Sequence, residues 1–176
     1  TGAGGNLTTV GNTVFLNITS LAYVWRGITD GSWDTTTANN WILNGSPAIY
    51  TQPAVALFDD TATGETNVVL NAPVAPVSTT VNNSTKTYSI TSSGANLIGG
   101  SGGLTKSGSA SLTLAGGVNT YSGATIINGG TVSVGALANG GVASDIGSAN
   151  NTAGSLVLNG GTLQYTGSGA TSDRLF

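Results

Sequence analysis

Glycine spacing over residues 103–135 restricts the fold of this chain more than any other feature of its sequence. Short runs of apolar or threonine residues alternate there with Gly, Ser and Asn. Each Gly inside a helix costs about 1 kcal/mol relative to Ala, so this stretch does not favour a helix. Within the runs, residues such as Leu112 and Leu114 share one face of an extended strand. We therefore predict short strands joined by tight turns at Gly and Asn.

Internal similarity predicts that these strands form a stack. Asn128–Val134 resembles Asn159–Tyr165, and the second segment begins 31 residues after the first. Ser111–Gly117 likewise resembles Ser155–Gly161. Repetition at a spacing of tens of residues is typical of solenoids. The predicted fold is all-β, a right-handed parallel β-helix with an N-terminal Trp-rich cap of strand and loop. The alternative is a β-sandwich, because Asn-Gly is also a hairpin signal.

Four motifs follow one another in this stretch. They are Leu104–Gly108, Leu112–Gly116, Asn119–Ile126 and Gly130–Val132. Together they resemble the autotransporter-associated β-strand repeat, also called the passenger-associated transport repeat. The resemblance implies a β-helical module of a bacterial protein that is secreted or displayed on the cell surface. It implies no catalytic residues, and the predicted location is extracellular or at the bacterial cell surface.

Composition argues against several classes of function. The chain has no Cys and no His, which removes thiol and imidazole chemistry. Only 4 residues are Lys or Arg and the net charge is −3, which argues against nucleic acid as a partner. No apolar run is long enough to predict a transmembrane segment. We predict that the chain is not an enzyme. A polysaccharide-degrading β-helix enzyme is an alternative, although the 7 acidic and 4 basic residues are spread along the chain.

The chain divides into three predicted segments. Residues 1–21 carry an N-terminal strand, residues 22–54 form the Trp-rich cap, and residues 55–176 form the β-helix with a loop insertion at 136–154. Outside the central stretch, strands are predicted at 13–19, 67–70, 77–81 and 86–90, and a further strand is predicted to begin at residue 55.

The first predicted strand places Val14, Leu16 and Ile18 on one face. It either completes the local fold or pairs with another subunit by strand addition. These three residues are therefore candidate subunit contacts.

All three tryptophans of the chain, Trp25, Trp33 and Trp41, lie eight residues apart in the predicted cap. Large aromatic rings cluster readily, so they are expected either to form an aromatic core at one end of the solenoid or to form an exposed platform for sugar stacking. The second possibility predicts glycans as partners.

Acidic residues lie near one predicted turn, at Asp59, Asp60 and Glu65. They form either a solvated turn or a set of oxygen ligands for Ca²⁺. No other cofactor is predicted.

The predicted function is that of a non-enzymatic structural module in a secreted or cell-surface protein. It would be a β-helical repeat unit of an adhesin-like chain or of a self-assembling extracellular filament, with partners being tandem copies of the same repeat or head-to-tail copies of the chain. The alternatives are a carbohydrate-binding module that uses the tryptophans and the polysaccharide-degrading enzyme above.

Overall fold

The computed structural model describes residues 4–11, 13–20 and 22–176. Sixteen strands occur in these residues, together with one short 3-10 turn at Ala153–Ser155. The strands are β1 (Gly4–Val10), β2 (Thr13–Ser20), β3 (Ala22–Trp25), β4 (Ser32–Trp33), β5 (Trp41–Leu43), β6 (Ser46–Ala48), β7 (Val55–Asp59), β8 (Asn67–Leu70), β9 (Ser78–Asn82), β10 (Tyr88–Thr91), β11 (Leu104–Ser107), β12 (Ser111–Ala115), β13 (Thr125–Ile127), β14 (Thr131–Val134), β15 (Leu156–Leu158) and β16 (Thr162–Tyr165). The all-β prediction is confirmed, and the strands predicted outside the central stretch lie within two residues of observed ones.

Most of the strands form two sheets built by parallel pairing. Sheet 1 has the order β15-β13-β11-β9-β7-β3-β5-β6, and sheet 2 has the order β16-β14-β12-β10-β8-β4. From β7 onward, consecutive strands alternate between the two sheets, so each strand lies beside the strand two positions later in the chain. Since parallel neighbours require a crossover, the strand in the opposite sheet forms part of that crossover. This arrangement is consistent with the predicted solenoid.

The strand register explains the 31-residue offset in the sequence. Thr131 pairs with Thr162 and Val134 pairs with Tyr165, so the 31-residue offset corresponds to neighbouring strands of sheet 2. The other similarity has a different origin, because Ser111–Gly117 contains β12 of sheet 2 whereas Ser155–Gly161 contains β15 of sheet 1. That second resemblance reflects the shared apolar alternation of two inward-facing strands.

One turn of the chain through both sheets is called a rung here. Leu104 pairs with Thr125, which gives a rung of 21 residues, and Thr125 pairs with Leu156, which gives a rung of 31 residues. The longer rung contains residues 136–152, which carry no strand. The additional residues of the longer rung therefore lie outside the two sheets.

Inward-facing side chains form columns across the rungs. In sheet 2 one column consists of Val68, Ile90, Leu114, Val134 and Tyr165, as the register of the five strands requires. The first four are fully buried, whereas Tyr165 in the last rung is only partly buried. Burial of these aliphatic columns between the sheets supplies the main apolar stabilisation, at about 25 cal/mol per Å².

Glycine is required where one corner packs on the next. Gly116 has a φ of 109°, and a Cβ added there would lie 1.9 Å from the carbonyl oxygen of Ser92. No side chain fits in that space, and the positive φ is strained for any L-residue.

The strands β3 and β4 already belong to the parallel sheets. Ala22 pairs in parallel with Val55, and Ser32 pairs in parallel with Val69. The Trp-rich stretch 22–54 therefore contributes strands to the stack, and the predicted boundary at residue 55 does not mark the start of parallel pairing. Within this stretch β5 pairs antiparallel with both β3 and β6, and β5 and β6 form the outer edge of sheet 1.

The strands β1 and β2 form a separate two-stranded antiparallel sheet. Leu16 pairs with Leu7 and Val14 pairs with Thr9, and the side chain of Val14 is exposed. The side chains of Leu16 and Ile18 lie outside what the structure describes. A subunit contact at Val14, Leu16 and Ile18 remains a prediction.

Candidate functional site

The three tryptophans lie in one buried aromatic cluster. Trp25 ends β3, Trp33 ends β4 and Trp41 begins β5, and each has a relative exposure of 0%. The ring centroids of Trp25 and Trp33 lie 5.0 and 5.2 Å from that of Trp41, mostly in edge-on geometry. Such arrangements are favourable for aromatic pairs. Tyr23, Tyr50 and Phe58 complete the cluster.

This burial bears directly on the predicted sugar platform. A sugar stacks on an aromatic ring only if one face of that ring is open to solvent, and none of the three indoles has an open face. Trp25 also donates its Nε1–H to the carbonyl oxygen of Glu65 at 2.7 Å, which fixes the ring against the neighbouring rung. The geometry favours the core interpretation over the platform interpretation.

Asp59 and Asp60, two of the predicted calcium candidates, bind different partners. Asp59 lies 3.5 Å from Arg26 and accepts a hydrogen bond from the backbone N–H of Thr61. Asp60 instead faces the next rung, where its carboxylate accepts the backbone N–H groups of residues 84, 85 and 86 at 2.9–3.0 Å. Within the described ranges, no three acidic, His or Cys side chains come together in a group that could hold a metal ion.

Asp60 binds like an anion in a nest of backbone N–H groups. These hydrogen bonds, that of Lys86 foremost, hold the pKa of Asp60 below its ordinary value. The ionised carboxylate is therefore the form that ties the turn after β7 to the turn before β10.

Lys106 is a buried cation that the sequence reasoning did not single out. It lies in the inward column of sheet 1 between Val81 and Ile127, with an exposure of 0%. Its Nζ donates to the carbonyl oxygens of Ser107, Gly108 and Gly129 at 2.6, 2.9 and 3.3 Å. Burial lowers the pKa of Lys106. The sequence carries one signal of this burial: Lys106 lies two residues after Leu104 in the same strand, so both side chains face the same side of the sheet.

A second buried polar group lies at the opposite corner. Asn119 accepts the backbone N–H of Ile98 and the hydroxyl of Ser92 at its Oδ1, and its Nδ2 donates to the carbonyl oxygen of Asp145. The carboxylate of Asp145 in turn accepts the backbone N–H groups of residues 117, 135 and 136 at 2.7–2.8 Å. Both side chains are fully buried, so they act as connectors between successive rungs.

An apolar groove lies at the last rung. Its lining includes Leu137, Leu156, Leu163 and Phe176. The strands β15 and β16 each pair on one side, with β13 and β14, and no other strand of the described residues pairs with their outer edges.

These features define a structural repeat module. Asp60, Lys106 and Asp145 each bind backbone groups of neighbouring corners. The described part of the chain also contains no helix of the length and apolarity needed to cross a membrane.

The comparisons with known proteins agree with this class. Residues 104–134 match the passenger-associated-transport-repeat family, which confirms the resemblance predicted from the motifs. The chain is also 47% identical over 79 residues to a protein of Brucella suis biovar 1 (strain 1330) named adhesin BmaC autotransporter. That match covers 45% of this chain and 2% of the relative, so the chain corresponds to a small part of the relative's length. No solved structure matches the chain.

The repeat and this relative together indicate an extracellular or cell-surface location for a bacterial protein. The relative's name describes an adhesin, and that activity is a property of the relative.

Proposed function

We propose that this chain is a non-enzymatic structural module of a bacterial surface protein, in which stacked rungs form a right-handed parallel β-helix. The observation that carries the proposal is the in-register parallel pairing of both sheets across successive rungs. Crossovers between parallel strands of one sheet are right-handed in about 98% of cases, which supports the handedness.

The two ends of the stack support tandem repetition more than head-to-tail assembly. At one end, the outermost strand of sheet 1 is β6, which contains Pro47 and pairs antiparallel with β5. Pro on an edge strand removes a backbone donor and discourages further pairing. At the other end, β15 and β16 are edge strands and Leu163 is only partly buried. We propose that residues 22–54 cap one end and that further rungs of the same repeat add at the other.

Extending the stack tests the proposal. Because Leu104 pairs with Thr125, residues 104–124 constitute one complete rung, and a second copy inserted after residue 124 should add a rung in register. Small-angle scattering should show the long dimension increasing by about 4.8 Å per added copy, the spacing of neighbouring strands. Circular dichroism should show a matching gain in β signal.

A Gly-Ser insertion of the same length at the same place is the control, and it should add no ordered β structure. An added repeat that broadens the particle without lengthening it, or that abolishes the β signal, would refute the stacked-rung proposal.

An adhesin-like role within a longer chain is the finer form of the proposal, and the name of the Brucella relative supports it. Carbohydrate binding by the tryptophans is the second candidate function. It is tested by tryptophan fluorescence during titration with a panel of glycans. With all three rings buried, we expect no change in intensity or wavelength, and a saturable change would restore the glycan hypothesis.

A polysaccharide-degrading activity is the third candidate. An activity screen on acidic polysaccharides, with and without Ca²⁺, tests the enzyme prediction. We expect no turnover, because Asp60, Lys106 and Asp145 are engaged with backbone groups of neighbouring corners and Asp59 is paired with Arg26.

A further inference from the structure

Residues 136–152 leave the stack after β14 and are divided into two parts. Residues 144–149, called the base here, pack on the preceding rung, where Ser148 N–H donates to the carbonyl oxygen of Tyr121 and Ile146 is buried. Residues 138–142, called the arm, include the exposed side chain of Val142. Two backbone hydrogen bonds hold the arm, from Gly141 N–H to Ala149 and from Val142 N–H to Asn139.

The side chain of Arg174 lies between the arm and the base. Its Nε donates to Ala138 O at 2.9 Å, and its Nη1 donates to Ala149 O at 3.2 Å. Its Nη2 lies 2.9 Å from Gly147 O, 3.3 Å from Val142 O and 3.5 Å from Asn139 O. Three of these carbonyls belong to the arm and two to the base, and the Arg174 residue is only 8% exposed.

The residues before Arg174 reinforce the same contact. Ser172 donates its hydroxyl to Ala138 O at 3.0 Å, and Asp173 accepts the backbone N–H of Gly140 at 2.8 Å. Asp173 N–H also donates to the side-chain oxygen of Asn139. The segment 172–174 therefore contacts the arm through three consecutive residues.

We propose that residues 138–149 form a guanidinium-binding site, which Arg174 occupies in this chain, and that the arm closes onto the base only when this site is filled. A planar guanidinium carries five N–H donors in a fixed geometry, which suits carbonyls arriving from two sides. An ammonium group has three donors on a single nitrogen, fewer than the five carbonyls that surround the guanidinium here. The ligand class is thus an alkylguanidinium, here an arginine side chain.

Arg174→Ala tests the proposal in the full chain, with hydrogen exchange and limited proteolysis of residues 138–143 as the readouts. Exchange and cleavage of a closed segment follow the population of its open form, so we expect both rates to rise at least about tenfold. Protection of β11 and β12 should not change. Adding ethylguanidinium to Arg174→Ala should restore protection of the arm, whereas ethylammonium should not.

Arg26→Ala is the matched control, because it removes the second arginine of the chain from an ion pair with Asp59. It should leave the exchange of residues 138–143 unchanged. Arg174→Lys should resemble Arg174→Ala. An arm that stays protected in Arg174→Ala, an equal effect of Arg26→Ala, full protection in Arg174→Lys, or equal rescue by ethylammonium would each overturn the proposal.

A measurement on the unaltered protein covers the case in which Arg174→Ala does not fold. The chain has two arginines, so NMR should show two Nε–H signals, and Arg26→Lys assigns them. We expect the Arg174 Nε–H to exchange with water at least about tenfold more slowly than that of Arg26, because buried hydrogen-bonded groups exchange only on opening. Equal exchange rates at the two sites would contradict a filled guanidinium site.

Discussion

Lys106 shows how a single residue connects rungs. Its aliphatic stem continues the inward column between Val81 and Ile127, while its ammonium group reaches carbonyls at two corners, Gly108 and Gly129. Long cationic side chains often combine an apolar stem with a polar end in this way. The residue therefore serves both the packing of the column and the hydrogen bonding of the corners.

Lys106→Met should destabilise the protein by about 1–3 kcal/mol, because it keeps the stem but leaves buried carbonyls without a donor. Urea denaturation followed by circular dichroism measures this change. Lys86→Met is the matched control at a partly exposed site, and it should change the free energy of unfolding by less than about 0.5 kcal/mol. Equal stability of the Lys106 variant and the unaltered protein would contradict a net stabilising role for the ammonium group.

Asp60 predicts a pH dependence of stability. Its pKa in the folded protein lies below its ordinary value of about 3.9. The stabilisation is therefore fully present above about pH 4 and is lost as pH falls toward the folded-state pKa. Asp60→Asn should lower the melting temperature at neutral pH, and its difference from the unaltered protein should shrink on acidification below about pH 4. Melting curves over a pH series measure this, and a difference that is independent of pH would contradict the role of the ionised carboxylate.

At the scale of elements, the three Asn-Gly pairs that directly join two strands have two different outcomes. Asn44 and Gly45 both have positive φ, at 52° and 84°, and they join the antiparallel strands β5 and β6. Asn128-Gly129 and Asn159-Gly160 instead connect strands that lie in different sheets. Local turn chemistry is compatible with both, so the pairing of the flanking strands determines whether a hairpin or a corner forms.

Gly116→Ala should destabilise the protein by at least about 2 kcal/mol, since the new Cβ would meet the carbonyl of Ser92 in a strained backbone conformation. Gly154→Ala is the control, because an added Cβ there would meet no atom within 4 Å. Its stability should match that of the unaltered protein. Thermal and urea unfolding compare the two variants, and similar losses in both would argue against close corner packing at Gly116.

At the scale of the whole molecule, the stack has unlike ends. The aromatic cluster around Trp41 fills one end with fully buried rings. In the last rung, Leu158 is 39% exposed, whereas Ile127, its neighbour in the same column, is fully buried. Apolar side chains are therefore much less buried at the last rung than in the rung before it.

Amide exchange should follow this asymmetry. We expect β15 and β16 to exchange earliest among the rungs of the parallel sheets, since each lies at a sheet edge with partly exposed apolar side chains, and β10 to β12 to exchange last. Hydrogen-exchange mass spectrometry resolves these segments. Protection of residues 156–165 equal to that of residues 104–115 would show that the edge position does not weaken the last rung.

The sequence alone determined the local features of this protein. Strand positions such as 67–70, the inward alternation of Leu112 and Leu114, and the 31-residue offset follow from chain neighbours, because strand geometry has a period of two and one rung repeats the next. Only the tertiary structure decided the burial of the tryptophans, the partners of Lys106 and Asp60, and the enclosure of Arg174. Those groups meet backbone atoms that in most cases lie more than twenty residues away in the sequence, and their meeting depends on rung length and register.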